Sequence, residues 1–235
     1  MGGDEVNTLA AGGLWAWSWG PIGLTMLLLL AYELLVAVQQ RRQPQRVARS
    51  AHAELREDWF DAVSRQPGSE ILAVQTLRNS LMSATMTAST AALALMGAVT
   101  LAAPSLQAGF KPGSAGLPLF TPRLALELAL LALLFASLVS SVMAVRYYNH
   151  AGFIGGMPVG SAERHRWAAA GVSYVRQAGV LYGWGLRHLI LVAPLLAALL
   201  HPLAGPPAAV VVIGVMLKLD RFGAIDGGST QGAER

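Results

Sequence analysis

Two dense polar clusters interrupt a chain made mostly of aliphatic side chains: Arg78-Asn79, and Arg146-Tyr147-Tyr148-Asn149-His150. Guanidinium, amide and imidazole groups at that density can hold an anion or control its passage. The hydrophobic pattern described below puts both clusters at the same membrane depth. Arg78, Asn79, Arg146, Tyr147, Asn149 and His150 are therefore expected to form one cytoplasmic-side polar site. Arg146 also complements the negative end of its helix, and the two tyrosines suit a membrane interface. Anchoring does not account for Asn149 and His150.

A second pattern runs through Thr76, Asn79, Ser83, Thr87, Thr90, Ala94 and Gly97, which recur at steps of three or four and so share one helical face. Such a stripe must face protein or water, and Ser83, Thr87 and Thr90 are its candidates for lining a hydrated path. Helix packing is the simpler account, because Ala125, Ala129, Ala132, Ala136, Ser140 and Ala144 form a matching small-residue seam. Two carboxylates fall within apolar runs, Glu33 and Glu127. Burying such a charge costs several kcal/mol unless it is paired, neutral or hydrated. Glu127 follows Arg123 by one turn, which predicts an i,i+4 ion pair. Glu33 is the stronger candidate for an intramembrane carboxylate with a function. Tyr32 is adjacent, and an Arg from another helix can reach it.

Enzymatic constellations do not emerge. The chain has no Cys, which removes thiolate catalysis, disulfides and Cys-ligated zinc. His52, His150, His165, His188 and His201 form no HExxH or HxxxH pair, and there is no Walker loop or GxSxG elbow. The Gly152-Phe153-Ile154-Gly155-Gly156 segment lacks the strand and Lys of a phosphate cradle and reads as a hinge. His188 and His201 bracket one apolar run at opposite ends, which argues against stacked haem ligation. The expectation is a protein without cofactor or metal that is not an enzyme.

The elements that must position these residues are membrane helices. Of 235 residues 54% are hydrophobic and 13% charged, with a mean hydropathy of +0.49, whereas about a quarter of a soluble domain is charged. A net charge of +4 and a pI near 9.8 do not indicate nucleic acid, because the basic residues flank apolar runs. The expected fold is a single all-α membrane domain over 1–235, a polytopic bundle of about five transmembrane helices. The apolar runs are Trp17 to Val38, Leu81 to Ala103, Leu124 to Val145, His188 to Leu200 and Ala208 to Leu219. The last two are short and read as a hairpin, and a re-entrant hairpin competes with two crossings. Trp15, Trp17 and Trp19 mark the outer end of the first run, with Arg41 and Arg42 at its inner end. Asp4 and Glu5 ahead of it do not make the basic start of a cleaved signal.

Residues 41–68 form a cytoplasmic amphipathic loop, with Leu55, Trp59 and Val63 on one helical side. Ser69 suits the N-cap of the next helix, with Glu70 in its first turn. Gly and Pro residues between Pro104 and Pro122 mark an external loop. Residues 146–187 read as a cytoplasmic or interfacial segment, in which Trp167, Gly171, Tyr174, Ala178 and Leu181 recur at helical spacing. The tail 223–235 is Gly-rich and expected to be disordered. Of seventeen Lys and Arg residues, only Lys111 and Arg123 fall outside under this topology. The positive-inside rule therefore sets the N-terminus outside and the C-terminus in the cytoplasm. A re-entrant hairpin leaves that charge bias unchanged. Only two of the seventeen are Lys, a bias of GC-rich bacterial genomes that points to a bacterial inner membrane.

The stretch Leu77-Arg78-Asn79-Ser80-Leu81-Met82 with Ser89-Thr90, then Val145-Arg146-Tyr147-Tyr148-Asn149-His150-Ala151-Gly152-Phe153, and Arg187 before a hairpin ending Leu219-Asp220-Arg221-Phe222, resembles the membrane family catalogued as domain of unknown function five-nine-nine, found in bacteria and plants. The resemblance covers most of the chain. It implies a polytopic membrane protein and supplies no activity. Two functions remain open on the residues: an oligomeric channel or carrier for an ion or small solute, or a non-transporting module that binds a partner protein or anionic lipid at its cytoplasmic face. A five-helix protomer encloses little alone, so the first requires a homo-oligomer in the lipid bilayer.

Overall fold

The structure, a computed structural model, describes residues 3–42, 48–110 and 120–221. Among these it is helical without strands: α1 (Gly3–Arg42), α2 (Ala48–Arg65), α3 (Glu70–Phe110), α4 (Pro122–Gly155), α5 (Ala162–Leu200) and α6 (Gly205–Arg221), with a 3-10 turn at Pro202–Ala204. Within α1, α3, α4, α5 and the final Pro202–Leu219 stretch, five segments are long and apolar enough to cross a membrane. The expected tail 223–235 lies outside the described residues.

Helix length separates the structure into two storeys. At 1.5 Å per residue α3 is about 61 Å long and α5 about 58 Å, roughly twice a hydrocarbon core of about 30 Å. Their apolar halves share one core with α1, α4 and α6, built on Ile22, Tyr32, Leu126, Leu134, Leu191, Leu195 and Met216. The other halves project from the basic end and meet α2 in a second core of Phe60, Leu77, Ala84, Tyr148, Ile154 and Val175. At the opposite end Trp19 stacks on Phe120 with ring centroids 5.9 Å apart. Thr25 lies against Gly205 there, where a Cβ would collide with its hydroxyl.

This continuity corrects several sequence expectations. Residues 146–187 are not a separate segment with its own interfacial helix: they comprise the end of α4, a short turn and most of the α5 stretch that runs unbroken into the fourth apolar run. The hairpin of α5 and α6 is present, but its first arm is a 39-residue helix. The loop expected from Pro104 starts later, since α3 continues through that proline to Phe110. On α2 the packed residues are Ala53 and Phe60, while Leu55 is exposed.

Local signals explain where the helices begin. Thr121 caps α4 by accepting the Leu124 N–H at 3.1 Å, with Pro122 in the first turn. Ser161 caps α5 by accepting the Arg164 N–H at 3.2 Å. Ser69 takes the N-cap position of α3, its carbonyl accepting the Ala73 N–H at 2.9 Å. Its hydroxyl, however, donates backwards to the Val63 and Gln66 carbonyls at 2.6 Å each and closes α2 instead. Gly68 makes the tight reversal between these helices at φ +86°, a conformation that costs other residues energy.

Candidate functional site

The α4 cluster splits across its helix. Tyr148 points into the second core, while Arg146, Asn149 and His150 are exposed and Tyr147 is half-buried. Tyr147 and His150 each pack on Tyr174 of α5, with centroids 5.7 Å apart in both cases. Arg78 and Asn79 lie on an exposed face of α3. Among the described residues, no hydrogen bond, ion pair or ring contact joins them to Arg146, Asn149 or His150. The two clusters share one end of the molecule with no such contact between them among the described residues.

The hydroxyl stripe of α3 is satisfied by its own helix. Ser83 donates to the Asn79 carbonyl at 3.1 Å, Thr87 to Ser83 at 3.0 Å and Thr90 to Met86 at 2.9 Å. These i−4 bonds let hydroxyls sit on an apolar surface at little cost. Ser83 and Thr90 are exposed and Thr87 is buried. Thr87 joins a buried face of α3 that otherwise consists of Ala73, Leu77, Ala84, Ala88, Ala91, Ala98 and Ala102.

The polar groups that are brought together lie deeper. Arg187 of α5 is 5% exposed, and its Nη1 donates to the Tyr32 hydroxyl of α1 at 2.6 Å while the guanidinium sits 5.4 Å from that ring. The Tyr32 hydroxyl in turn lies 3.7 Å from the Met216 Sδ of α6, so one arginine ties three helices. Glu33 follows Tyr32 and lines an apolar cleft of about 210 Å³ with Met26, Leu29, Leu30, Ala132 and Leu191. Trp184 stacks on His188 one turn along α5, at 5.4 Å. Arg187 is about 20 Å along its helix from Leu200, and Glu33 about 21 Å along its own from Trp19. Both therefore sit at one depth, inside the apolar stretch. Arg187 thus lies inside a long helix and not at the boundary of a short span that its sequence position suggests, because α5 runs unbroken ahead of it. An Arg of another helix does reach Tyr32, as the sequence allows.

A third arrangement surrounds Arg164, which is 2% exposed. Its Nη1 donates to the carbonyls of Ile154, Gly155 and Met157 at 2.8, 2.7 and 2.9 Å, and its Nη2 to the Ser64 hydroxyl at 3.0 Å. Carbonyls at the end of α4 and in the turn after it thus gain a cationic donor, Ile154 in addition to the Met157 N–H that it accepts at 3.2 Å, and the charge favours the negative end of the helix dipole. Glu70 secures the same turn by accepting the Val159 N–H at 3.0 Å. This is a positional clamp joining α2, α4 and α5. The Oε1 of Glu127 accepts from Arg123 at 2.9 Å, as its spacing predicts, and from Ser105 at 3.2 Å. Among the described residues, no three His, Asp or Glu side chains gather as a metal site requires.

A family model described as "Protein of unknown function, DUF599" matches residues 21–224, which contain every one of these arrangements. The chain belongs to that family. No curated protein and no solved structure matches it. The five apolar helices are compatible with a multi-pass membrane protein.

Proposed function

We propose that the protein is a membrane carrier or channel for an ion or small solute, built as a homo-oligomer in a bacterial inner membrane with its basic end in the cytoplasm. The observation that carries this reading is the Arg187 and Tyr32 pair beside Glu33 at one depth within the apolar helices. Ionisable groups at such a depth are costly and mark ion or substrate pathways. Apolar residues of similar volume would tie the same helices together at least as well. The cleft that Glu33 lines lies between α1, α4 and α5 and is open, so a neighbouring protomer is needed to close a path over it. On the same reading the exposed stripe of α3 faces a second protomer, and Arg78, Arg146 and His150 act by charge at the cytoplasmic mouth.

The alternative, a non-transporting module that binds a partner protein or anionic lipid at its cytoplasmic face, is favoured by a separate cleft at the basic end around Arg56. Flux measurements on the reconstituted protein separate the two. Transport predicts selective flux that Glu33→Gln and Arg187→Met abolish in an intact assembly.

A further inference from the structure

The basic end holds a cleft of about 320 Å³ between α2, α3, α4 and α5, lined by Arg56, Trp59, Thr76, Ser80, Leu77 and Tyr148 among others. It mixes one cation and several hydroxyls with apolar walls. The neighbouring charges are engaged elsewhere: Glu57 pairs with Arg176 at 3.1 Å, and Asp61 pairs with Arg65. Among the described residues Arg56 itself has no ion pair or hydrogen bond, although it is half-buried. The guanidinium packs over Gly179 of α5, so close that a Cβ there would displace it. Tyr148 and Ser80 line the same cleft as Arg56, and the Ser80 hydroxyl donates to the Thr76 carbonyl at 3.2 Å. A guanidinium with a phenol beside it is a donor set for a phosphate.

We propose that this cleft binds the phosphate of an anionic lipid headgroup at the cytoplasmic leaflet. Its depth fits: Tyr148 is about 39 Å along α4 from Pro122, close to the 40–45 Å that separate the two outer limits of a bilayer's headgroup layers. Its walls fit as well. Trp59, Leu77 and the exposed Leu55 at the same cleft offer apolar surface to the glycerol and upper acyl carbons. A soluble phosphate compound would use only the donor set. This site is independent of the Arg187 centre and of whether the protein transports anything.

The test is calorimetric titration of the detergent-purified full chain with dioctanoyl phosphatidylglycerol, dioctanoyl phosphatidylcholine and inorganic phosphate. Phosphatidylglycerol is expected to bind at least tenfold tighter than phosphatidylcholine, and Arg56→Gln to lose at least tenfold in that affinity. Inorganic phosphate binding as tightly as the lipid, with the same loss in Arg56→Gln, would uphold the phosphate site and assign it to a soluble compound. Equal affinity for the two lipids, or an Arg56→Gln variant that binds as wild type does, overturns the proposal. If Arg56→Gln does not fold, the milder pair Ser80→Ala with Tyr148→Phe decides, since unchanged affinity there overturns it equally.

Discussion

Arg187 and Tyr32 lie in different helices, far apart in sequence, and meet through a 2.6 Å hydrogen bond where both side chains are almost wholly buried. A guanidinium in that position has no water to fall back on, so each partner it keeps matters. Tyr32→Phe removes the acceptor of the Arg187 Nη1 together with the hydroxyl contact to the Met216 Sδ and leaves the ring in place. Thermal unfolding in detergent should show a destabilisation of about 1–3 kcal/mol, the usual penalty for leaving a buried donor unmet. An unchanged midpoint would mean that the pair contributes nothing to the bundle.

Arg164 should matter more to its local region than to the membrane half. Replacing it by Met removes the cationic donor from the carbonyls of Ile154, Gly155 and Met157 and releases Ser64, although Ile154 keeps the Met157 N–H, a loss of about 3 kcal/mol for a buried charge network. Hydrogen exchange should rise first in the 155–161 turn and in α2, with the apolar core of α1, α4, α5 and α6 protected as before. Uniform loss of protection across all helices would contradict the two-storey description.

Gly179 and Gly183 lie about one turn apart on α5, and their substitution is predicted to disturb different things. A Cβ at Gly183 meets open space, whereas a Cβ at Gly179 displaces the flexible end of Arg56. Gly183→Ala should therefore be neutral or stabilising by up to about 1 kcal/mol, as helix propensity alone dictates. Gly179→Ala should keep an unfolding midpoint close to that of wild type and weaken phosphatidylglycerol binding by moving the guanidinium. Unchanged lipid affinity in Gly179→Ala would contradict the seating of Arg56.

The hydroxyls of Ser83, Thr87 and Thr90 bond to their own helix, so changing all three to Ala should leave assembly intact, with a stability change within about 0.5 kcal/mol from exposed Ser83 and Thr90 and about 0.8 kcal/mol more for the methyl lost at buried Thr87. If they line a path between protomers, flux falls in the same variant. Flux equal to wild type would remove the stripe from the path while leaving the Arg187 centre in place.

Much of this architecture is legible in the residues, and the limits have physical causes. Apolar runs and flanking arginines mark the membrane helices because desolvation acts on every residue alike. The Arg123 and Glu127 pair is readable because its partners are one turn apart. The same reasoning fails at Arg164 and Arg56, which look like anchoring charges in the chain and are seated only by contacts with distant helices. Gly171 and Gly179 illustrate the reason: they are small because Phe60 and Arg56 of α2 press against them, and nothing local to α5 says so. The division of Arg146-Tyr147-Tyr148-Asn149-His150 into outward and inward residues follows once α4 is known to stay helical through Gly155. A reading that ends the span at Val145 cannot anticipate it.

The central claim is that Glu33, beside the Arg187 and Tyr32 pair, belongs to a transport pathway. It is tested most directly by reconstituting the purified protein in liposomes and measuring flux of a panel of cations, anions and small neutral solutes, alongside Glu33→Gln, Arg187→Met and the exposed-site variants Arg78→Ala and Arg146→Ala. The account predicts flux of a restricted set of solutes, lost in Glu33→Gln and in Arg187→Met while the assembly stays intact, and reduced in the two exposed-site variants. A folded oligomer that passes nothing across the panel, or flux that both intramembrane substitutions leave unchanged, would contradict it.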